Sequence, residues 1–429
     1  MKYASVLLAI SCLLSAVKAQ WLETTIPLDS GSGPRALCWN SQNNKVYCAN
    51  GGSASVTVID GVTNQVITTV TAGDYPQALC YNPQNNKVYC ANHNSGTVTV
   101  IDGAADSVIT TVTTGRWPRA LCYNPQDNKV YSANYGTGDM TVIDGATDSV
   151  ITTVAVGAAP YALCYNPQDN KVYSTNDGST SIDTVTVIDG ATDQVIATVS
   201  AGDQPQALCY NPQNNKVYCA NIYGGVTVID GAANQVITTV TAGYYCFALC
   251  YNPQNNKVYC ANFSSGVVVI DGATNQVITV TAECGPQALR YNPRNNKVYC
   301  AVYGTRYVTV IDGATDQVLR TIEVGDGLGE FDFTWNPVQN RVYVANTGSS
   351  SISVLRDSGG GIEESPSPQA SNHKPAATVV RTLPAGAVVF DAMGRRVLNP
   401  KPGVFFVRER SAVGGERSAV TVRKVVIQR

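Results

Sequence analysis

The sequence predicts an all-β protein: an eight-bladed β-propeller of four-stranded antiparallel blades, closed by an N-terminal strand and followed by a small C-terminal β-sandwich. Three observations lead there. An N-K-V-Y core, N-R-V-Y in its last copy, recurs eight times. Its tyrosines are Tyr47, Tyr89, Tyr131, Tyr173, Tyr218, Tyr259, Tyr299 and Tyr343, in steps of 42, 42, 42, 45, 41, 40 and 44 residues. A period near 40 residues marks a solenoid, a propeller or an array. Each repeat also divides into four short runs rich in Val, Ile, Thr and Tyr, all of strand length. Finally, no apolar stripe of 3.6-residue period reaches helical length. Four strands per repeat of this size is the spacing of a propeller blade.

Residues 78–115 show the unit. ALCYN, KVYCAN, TVTVID and SVITTV are its four strands. NPQNN joins the first two, and its Pro-Asn composition favours a turn. An Asp-Gly pair opens the turn between the third and fourth, where the glycine is expected to supply the positive φ of a tight hairpin. First, second and third strands occur eight times, the last third strand being Ser351–Arg356. A fourth strand follows the third only seven times. The missing one is expected at the N-terminus, where Leu22–Asp29 (LETTIPLD) matches QVITTVTAG. Joined to the last blade, it would close the ring and remove two unpaired edges.

With VYCAN in four copies and RVYVAN at Arg341–Asn346, the repeat resembles the YVTN family of β-propeller repeats. The resemblance covers residues 21–357. Relatives in that family are often seven-bladed, whereas the marker here occurs eight times.

The remaining segments follow in order. Residues 1–19 read as a signal peptide: Lys2 gives a positive start, Ala4 to Leu14 an apolar stretch, and Val17-Lys18-Ala19 a cleavage site. The apolar stretch is too short for a membrane span. Cys12 is a poor lipoprotein anchor, because apolar residues continue past it. Residues 20–357 are the propeller. Residues 358–375 are rich in Gly, Ser and Pro and read as a flexible linker. Residues 376–429 contain short alternating runs that predict a small β-domain. Their FDAMGRRV, KPGVFFVR and RKVVIQR stretches resemble the C-terminal sorting domain of bacterial type IX secretion. That resemblance implies secretion machinery as a partner and an extracellular or cell-surface location in a bacterium. The alternative is a generic small β-domain.

Charge divides the chain in the same place. Residues 21–357 carry 16 Lys+Arg against 26 Asp+Glu, net −10, and residues 358–429 carry 11 against 5, net +6. The acidic propeller argues against nucleic acid as a partner. Only two histidines are present, His93 and His373. Haem, copper and zinc sites generally need several, so no metal and no cofactor is expected. A hydrolytic triad would have to use His93, which lies in a loop with no nucleophile elbow near it. The Asp of the repeated VIDG (Asp60, Asp102, Asp144, Asp189, Asp230, Asp271, Asp312) is needed in every blade, unlike a catalytic group, and is assigned to capping its own turn. The recurring Trp39/Tyr47 and Tyr81/Tyr89 pairs are assigned to packing between blades.

Turns between strands one and two, and between three and four, lie on one face of a propeller and barely change here. The loops on the other face change at every copy. They carry Asp74, Tyr75, Arg116, Trp117, Arg119 and Tyr161, and further on Asp203, Tyr244, Tyr245, Phe247 and Arg306. Aromatics with arginine on a rigid scaffold are the usual makings of a binding site. These residues are the candidate contacts for a protein or glycan ligand; the alternative is neutral drift of exposed loops. The chain is expected to act as a monomeric binding or structural scaffold rather than an enzyme. The competing class is a hydrolase resembling propeller lactonases, for which Asp74, Asp203, Asp326 and Glu330 are the available carboxylates.

Two pairings complete the expectations. Lysines beginning the second strands, from Lys45 to Lys297, should each meet the VIDG Asp of their own blade. Four cysteine pairs, Cys38/Cys48, Cys80/Cys90, Cys209/Cys219 and Cys250/Cys260, are read as directly opposite one another and able to form hairpin disulfides. Cys122 and Cys164 stand against Ser132 and Ser174 on that reading, which equally fits a need for small side chains. Cys246 and Cys284, in loops of adjacent blades, are a further possible bridge.

Overall fold

The computed structural model describes residues 20–178, 183–281, 285–327 and 331–357, together with five strands of the C-terminal region. The expected signal peptide, the linker, Cys284 and Glu330 lie outside the described residues. No helix among those described is long and apolar enough to cross a membrane.

Residues 20–357 form eight four-stranded antiparallel sheets. Blade 1 comprises Pro34–Asn40, Lys45–Asn50, Ser55–Asp60 and Val66–Thr71, and blades 2 to 7 repeat this order. Innermost strands of successive blades pack side by side, and that of blade 8 meets that of blade 1. Each blade is therefore covered on both faces. That is why the second and third strands, KVYCAN and SVTVID, are buried along nearly their whole length rather than on alternate residues. The outermost strand is covered least, so Val66 and Ile67 and their counterparts are exposed. The core is divided into clusters that each straddle two blades; Tyr47, Val56 and Val58 of blade 1 pack with Val88, Cys90 and Ile101 of blade 2.

Closure occurs as the sequence predicts. Gln20–Pro27 pairs antiparallel with Ser351–Asp357 and completes blade 8. Glu23 sits at a bulge in this strand and receives Arg341 Nε at 2.8 Å. Arg341 also donates to the carbonyls of Gly61 and Val62 in blade 1, fastening the end of the ring to its beginning.

The constant face has a function its turn signals conceal. The asparagine ending each innermost strand donates its Nδ2 to the last asparagine of the corresponding turn in the next blade. Asn40 reaches Asn86, Asn82 reaches Asn128, and so on around to Asn336, which reaches Asn44; all eight distances are 2.8–3.0 Å. All eight donors are fully buried. Each acceptor asparagine stands at φ 50–52°, the left-handed conformation that asparagine tolerates well. Each donor's Oδ1 also caps its own turn, as Asn124 does for the backbone N–H groups of Gln126 and Asp127. The NPQNN motif thus makes both the turn and a closed circle of side-chain amides.

Three expectations are corrected. The VIDG glycines do not supply positive φ; that falls to the fourth residue after the Asp, such as Asp106 at 55°. The glycine is required by close approach, since a Cβ on Gly103 would lie 2.5 Å from Asn40 Nδ2. The lysines stand opposite their own VIDG Asp in register, Lys45 with Asp60, but most of their ammonium groups cross to the next blade. Lys45 Nζ lies 2.7 Å from Asp106, and the pattern repeats from Lys87 to Asp148, Lys129 to Asp193 and Lys257 to Asp316. Lys171 and Lys216 meet Asn234 and Asn275, and Lys297 stays within its own blade on Asp312. One oxygen of the VIDG carboxylate caps its own turn: Asp60 Oδ1 accepts from the N–H groups of Val62 and Thr63. The buried tyrosines join this inter-blade contact, Tyr47 OH donating to Asp106 at 2.7 Å.

The hairpin disulfides also fail, by one residue of register. Cys38 pairs with Tyr47, while Cys48 pairs with Leu37. The same offset separates Cys80 from Cys90, Cys209 from Cys219 and Cys250 from Cys260. Because side chains alternate, each proposed pair points to opposite faces of its sheet. Cys122 and Cys164 likewise oppose Tyr131 and Tyr173, not serines. All twelve described cysteines are free thiols. Burial pushes Cys80, Cys164, Cys250 and Cys300 up to about 12, which leaves them unreactive. Cys246 lies in one buried cluster with Cys260.

The C-terminal region forms a compact unit of its own. Its strands Thr378–Val380, Val388–Phe390, Arg396–Val397, Gly403–Ser411 and Ala419–Ile427 make one five-stranded sheet. Gly403–Ser411 pairs antiparallel with Ala419–Ile427 over its full length, and Thr378–Val380 adds to the latter in parallel.

Candidate functional site

The innermost strands present one residue per blade to the channel mouth on the variable face. In blade 1, pairing shifts between Pro34 and Ala36, which places Arg35 at a bulge. The same shift recurs at the start of the innermost strand through blade 7. A bulge re-aims its side chain. The re-aimed side chains are Arg35, Gln77, Arg119 and Tyr161 in blades 1 to 4, and Gln206, Phe247 and Gln287 in blades 5 to 7. Blade 8 keeps regular pairing and contributes Asp332, opposite Ala345. Together they line a cavity of ≈ 330 Å³. Asp332 Oδ2 accepts the N–H of Leu37 at 2.7 Å.

Immediately before each bulge stands a residue of positive φ. In blades 1 and 7 it is glycine, Gly33 and Gly285. In blades 4 and 5 it is Ala159 (50°) and Gln204 (56°), and in blades 2, 3 and 6 it is Tyr75 (59°), Trp117 (60°) and Tyr245 (65°). Left-handed backbone costs an ordinary residue about 1–2 kcal/mol, and a bulky residue there is a real outlier. Trp117 and Tyr245 are nevertheless 40% and 38% exposed. Their carbonyls accept the N–H of Tyr135 and Phe263 from the other variable loop of the same blade, which ties the two loops together.

The aromatics gather into two sectors. Over blades 1 to 4 they are interleaved with cations. Arg35 lies over the Tyr75 ring at 4.4 Å, Arg116 over Trp117 at 5.1 Å and Arg119 over Tyr161 at 3.7 Å. His93 bridges them, 5.7 Å from Tyr75 and stacked at 5.9 Å on Trp117. Over blades 5 to 7 the sector is almost purely aromatic. Tyr223 touches Tyr244 and Tyr245, Tyr245 stacks on Phe247, and Phe263 joins Phe247 to Tyr303. Tyr245, Phe247, Phe263 and Tyr303 with Gln287 enclose a second cavity of ≈ 440 Å³. Gln287 and Phe247 line both cavities, and the Gln287 Oε1 is buried without a hydrogen-bond partner. Between the sectors, burial together with Asp183 and Asp203 holds the Asp177 carboxyl above its ordinary range. Among the described residues no three His, Cys, Asp or Glu side chains are placed to hold a metal ion.

Residues 1–335 match the family described as YNCE-like beta-propeller. The chain belongs to that family. No curated protein matches it in sequence. Among solved structures, the Saccharomyces cerevisiae protein Sqt1 has a TM-score of 0.66 at 13% identity, covering 77% of this chain and 98% of its own. The computationally designed Ika8 protein gives 0.62 at 20% identity, covering 78% and 100%. Kuenenia stuttgartiensis hydrazine synthase gives 0.56 at 18% identity, covering 78% and 98%. At such identities these likenesses concern the fold alone.

In this YNCE-like propeller the residues expected from sequence separate into groups. Arg119, Tyr161 and Phe247 line the central cavity. Tyr75, Arg116 and Trp117 form the cationic sector, and Tyr244 and Tyr245 the aromatic one. Asp74, Asp203 and Arg306 line neither cavity; Arg306 is 3.9 Å from Glu323 in an exposed ion pair. Of the carboxylates weighed for a hydrolase, Asp74, Asp203 and Asp326 are absent from the central lining, which has Asp332 instead. Sequence reading missed Arg35, Gln77, Gln206, Gln287 and Asp332. It also missed Tyr223, Phe263 and Tyr303. The signal was available: the residue before Ala-Leu is the changing position in an otherwise uniform first strand.

Proposed function

We propose that this YNCE-like propeller is an exported binding protein that takes its ligand at the channel mouth of the variable face. The observation that carries the reading is the placement of Tyr75, Trp117 and Tyr245. Glycine would suit these backbone positions, and blades 1 and 7 have it, yet aromatics occupy them, Trp117 and Tyr245 exposed and Tyr75 partly so, beside a bulge-built ring of arginine and amide side chains. Strain of this kind accompanies function more often than chance. Binding is favoured over hydrolysis because the central cavity is lined by cations, amides and aromatics, and its carboxylate Asp332 is bonded to the Leu37 N–H. Export rests on the apolar Ala4–Leu14 stretch and on the C-terminal resemblance to a sorting domain.

The test is a protein, peptide and glycan array probed with the full chain and with two variants. Arg116, Trp117 and Arg119 replaced by alanine together should abolish capture. Replacing Val62, Ala104 and Ala146 on the opposite face should leave it intact. Capture lost only in the second variant would place the binding face on the wrong side.

A further inference from the structure

We infer that the channel mouth recognises an apolar side chain joined closely to a single carboxylate, as at the C-terminal residue of a peptide. The inference rests on the binding reading above and adds the chemistry of the ligand. The two cavities adjoin, since Phe247 and Gln287 belong to both walls. One is aromatic: apart from Gln287, its walls are Tyr245, Phe247, Phe263 and Tyr303. An apolar group entering there leaves water without forfeiting hydrogen bonds. A sugar ring would bring several hydroxyls against walls with few polar atoms, and each unpaired hydroxyl is costly. The other cavity is polar and holds two guanidinium groups, Arg35 and Arg119, against one carboxylate, Asp332. The lining side chains thus carry one net positive charge, which suits one anionic group. Arg119 is held over the Tyr161 ring and donates Nη2 to the Tyr161 hydroxyl, so its guanidinium is already positioned before a carboxylate arrives.

The shared wall supplies the third element. Gln287 Oε1 is a buried acceptor without a partner, at the junction of the cavities. A buried acceptor of that kind calls for a donor. In a C-terminal residue one Cα carries the side chain, the N–H and the carboxylate, so a single residue offers a group to the aromatic wall, to the amide acceptor and to a guanidinium. A polyanion fits less well, because the propeller as a whole is net −10. The same chemistry is available from a free N-acylated amino acid, so the test includes both sources.

Fluorescence polarisation with the full chain would use short peptides ending in Phe, Leu or Ala, each as free acid and as terminal amide, with N-acetylphenylalanine as competitor. Phe- and Leu-terminated acids should bind at least about tenfold tighter than their amides and than the Ala-terminated acid. Arg119→Gln should lower affinity for the acids to that of the amides while leaving the amides unchanged, a readout that loss of folding cannot imitate. Phe247→Ala should erase the preference for Phe over Ala. Competition by N-acetylphenylalanine at the peptide's own affinity assigns a small acid as the source, and competition only at much higher concentration assigns a peptide. Equal binding of acids and amides would overturn the carboxylate assignment. Capture of a glycan but no peptide, still lost in the Arg116/Trp117/Arg119 variant, would overturn the ligand chemistry and leave the binding face standing. A ligand indifferent to every substitution on this face would overturn both.

Discussion

The two faces of the ring are built from the same blades and use the same residue types to opposite ends. On the constant face, amide side chains are consumed: eight asparagines donate to the next blade, cap their own turns and are fully buried. On the variable face, amides such as Gln77, Gln206 and Gln287 are presented to a cavity. The constant face also uses the left-handed backbone economically, giving it to asparagine or aspartate in every turn. The variable face gives it to varied residues, Ala159 and Gln204 among them, and to the aromatics Tyr75, Trp117 and Tyr245. Repetition on one side and exception on the other separate what holds the ring from what meets a ligand.

The largest effect that could break this contrast is at the ring's closure. Deleting residues 20–29 removes the outer strand of blade 8 and the Glu23 partner of Arg341, which is only 7% exposed. A buried charge stripped of its partner costs about 3–5 kcal/mol, and the freed edge at Ser351–Asp357 invites aggregation. A large fall in Tm, with aggregation, is expected by calorimetry and light scattering. An unchanged Tm would mean that the ring does not depend on the strand.

Next in size is the asparagine circle. Asn124→Ala removes the bond to Asn170 and both caps on its own turn. Leaving buried groups unsatisfied costs about 1–3 kcal/mol each, so a loss of roughly 2–4 kcal/mol is expected in urea unfolding. The same loss should follow at Asn82 or Asn252, since the geometry is the same. Arg119→Ala, by contrast, should change stability by less than about 1 kcal/mol. Equal losses at Asn124 and Arg119 would erase the distinction between scaffold and site.

Acid should act on the constant face through its turn carboxylates. Asp60, Asp144, Asp189 and Asp271 lie below the usual carboxylate range, chiefly because the N–H of Thr63, Thr147, Thr192 or Thr274 bonds to the ionised form. Groups with depressed folded values add stability that is present above the unfolded value, near 3.9, and lost as pH falls through the folded one. Tm should thus be insensitive to these groups between pH 7 and 5 and should decline below about pH 4. Because they are partly exposed, the decline should be modest and should shrink in D60N/D144N. A Tm that begins to fall at pH 6 would point to other groups.

Much of this was legible in the sequence for a physical reason: a unit repeated eight times averages out the ambiguity of any single strand. Blade number, strand order, the two faces and the closing role of the N-terminal strand all follow from that repetition. Interactions between repeats were less legible. The Lys45 ammonium crosses to Asp106 in the turn of the next blade, whereas Lys297, whose next blade has no such turn, stays on Asp312, which only the geometry of neighbouring blades reveals. The cysteine pairs failed on a single residue of register, enough to turn every side chain to the other face. Arg35 and its counterparts escaped notice because a bulge, invisible to strict alternation, re-aims them into the channel.

The smallest expected effect is the sharpest test of the contrast. Trp117→Gly relieves left-handed strain of about 1–2 kcal/mol but adds chain entropy of about 0.5–1 kcal/mol. It also forfeits the stack on His93 and the contact with Arg116, both at a partly exposed site. These terms nearly cancel, so stability should move by less than about 1 kcal/mol. Truncating an ordinary buried aromatic such as Tyr131 costs about 3–5 kcal/mol. Tyr75→Gly and Tyr245→Gly should behave like Trp117→Gly. If all three are near neutral in urea unfolding yet weaken ligand capture, the fold does not account for those aromatics and binding does. If Trp117→Gly instead costs as much as Tyr131→Ala, the aromatics are packing residues, and the variable face differs from the constant one in sequence alone.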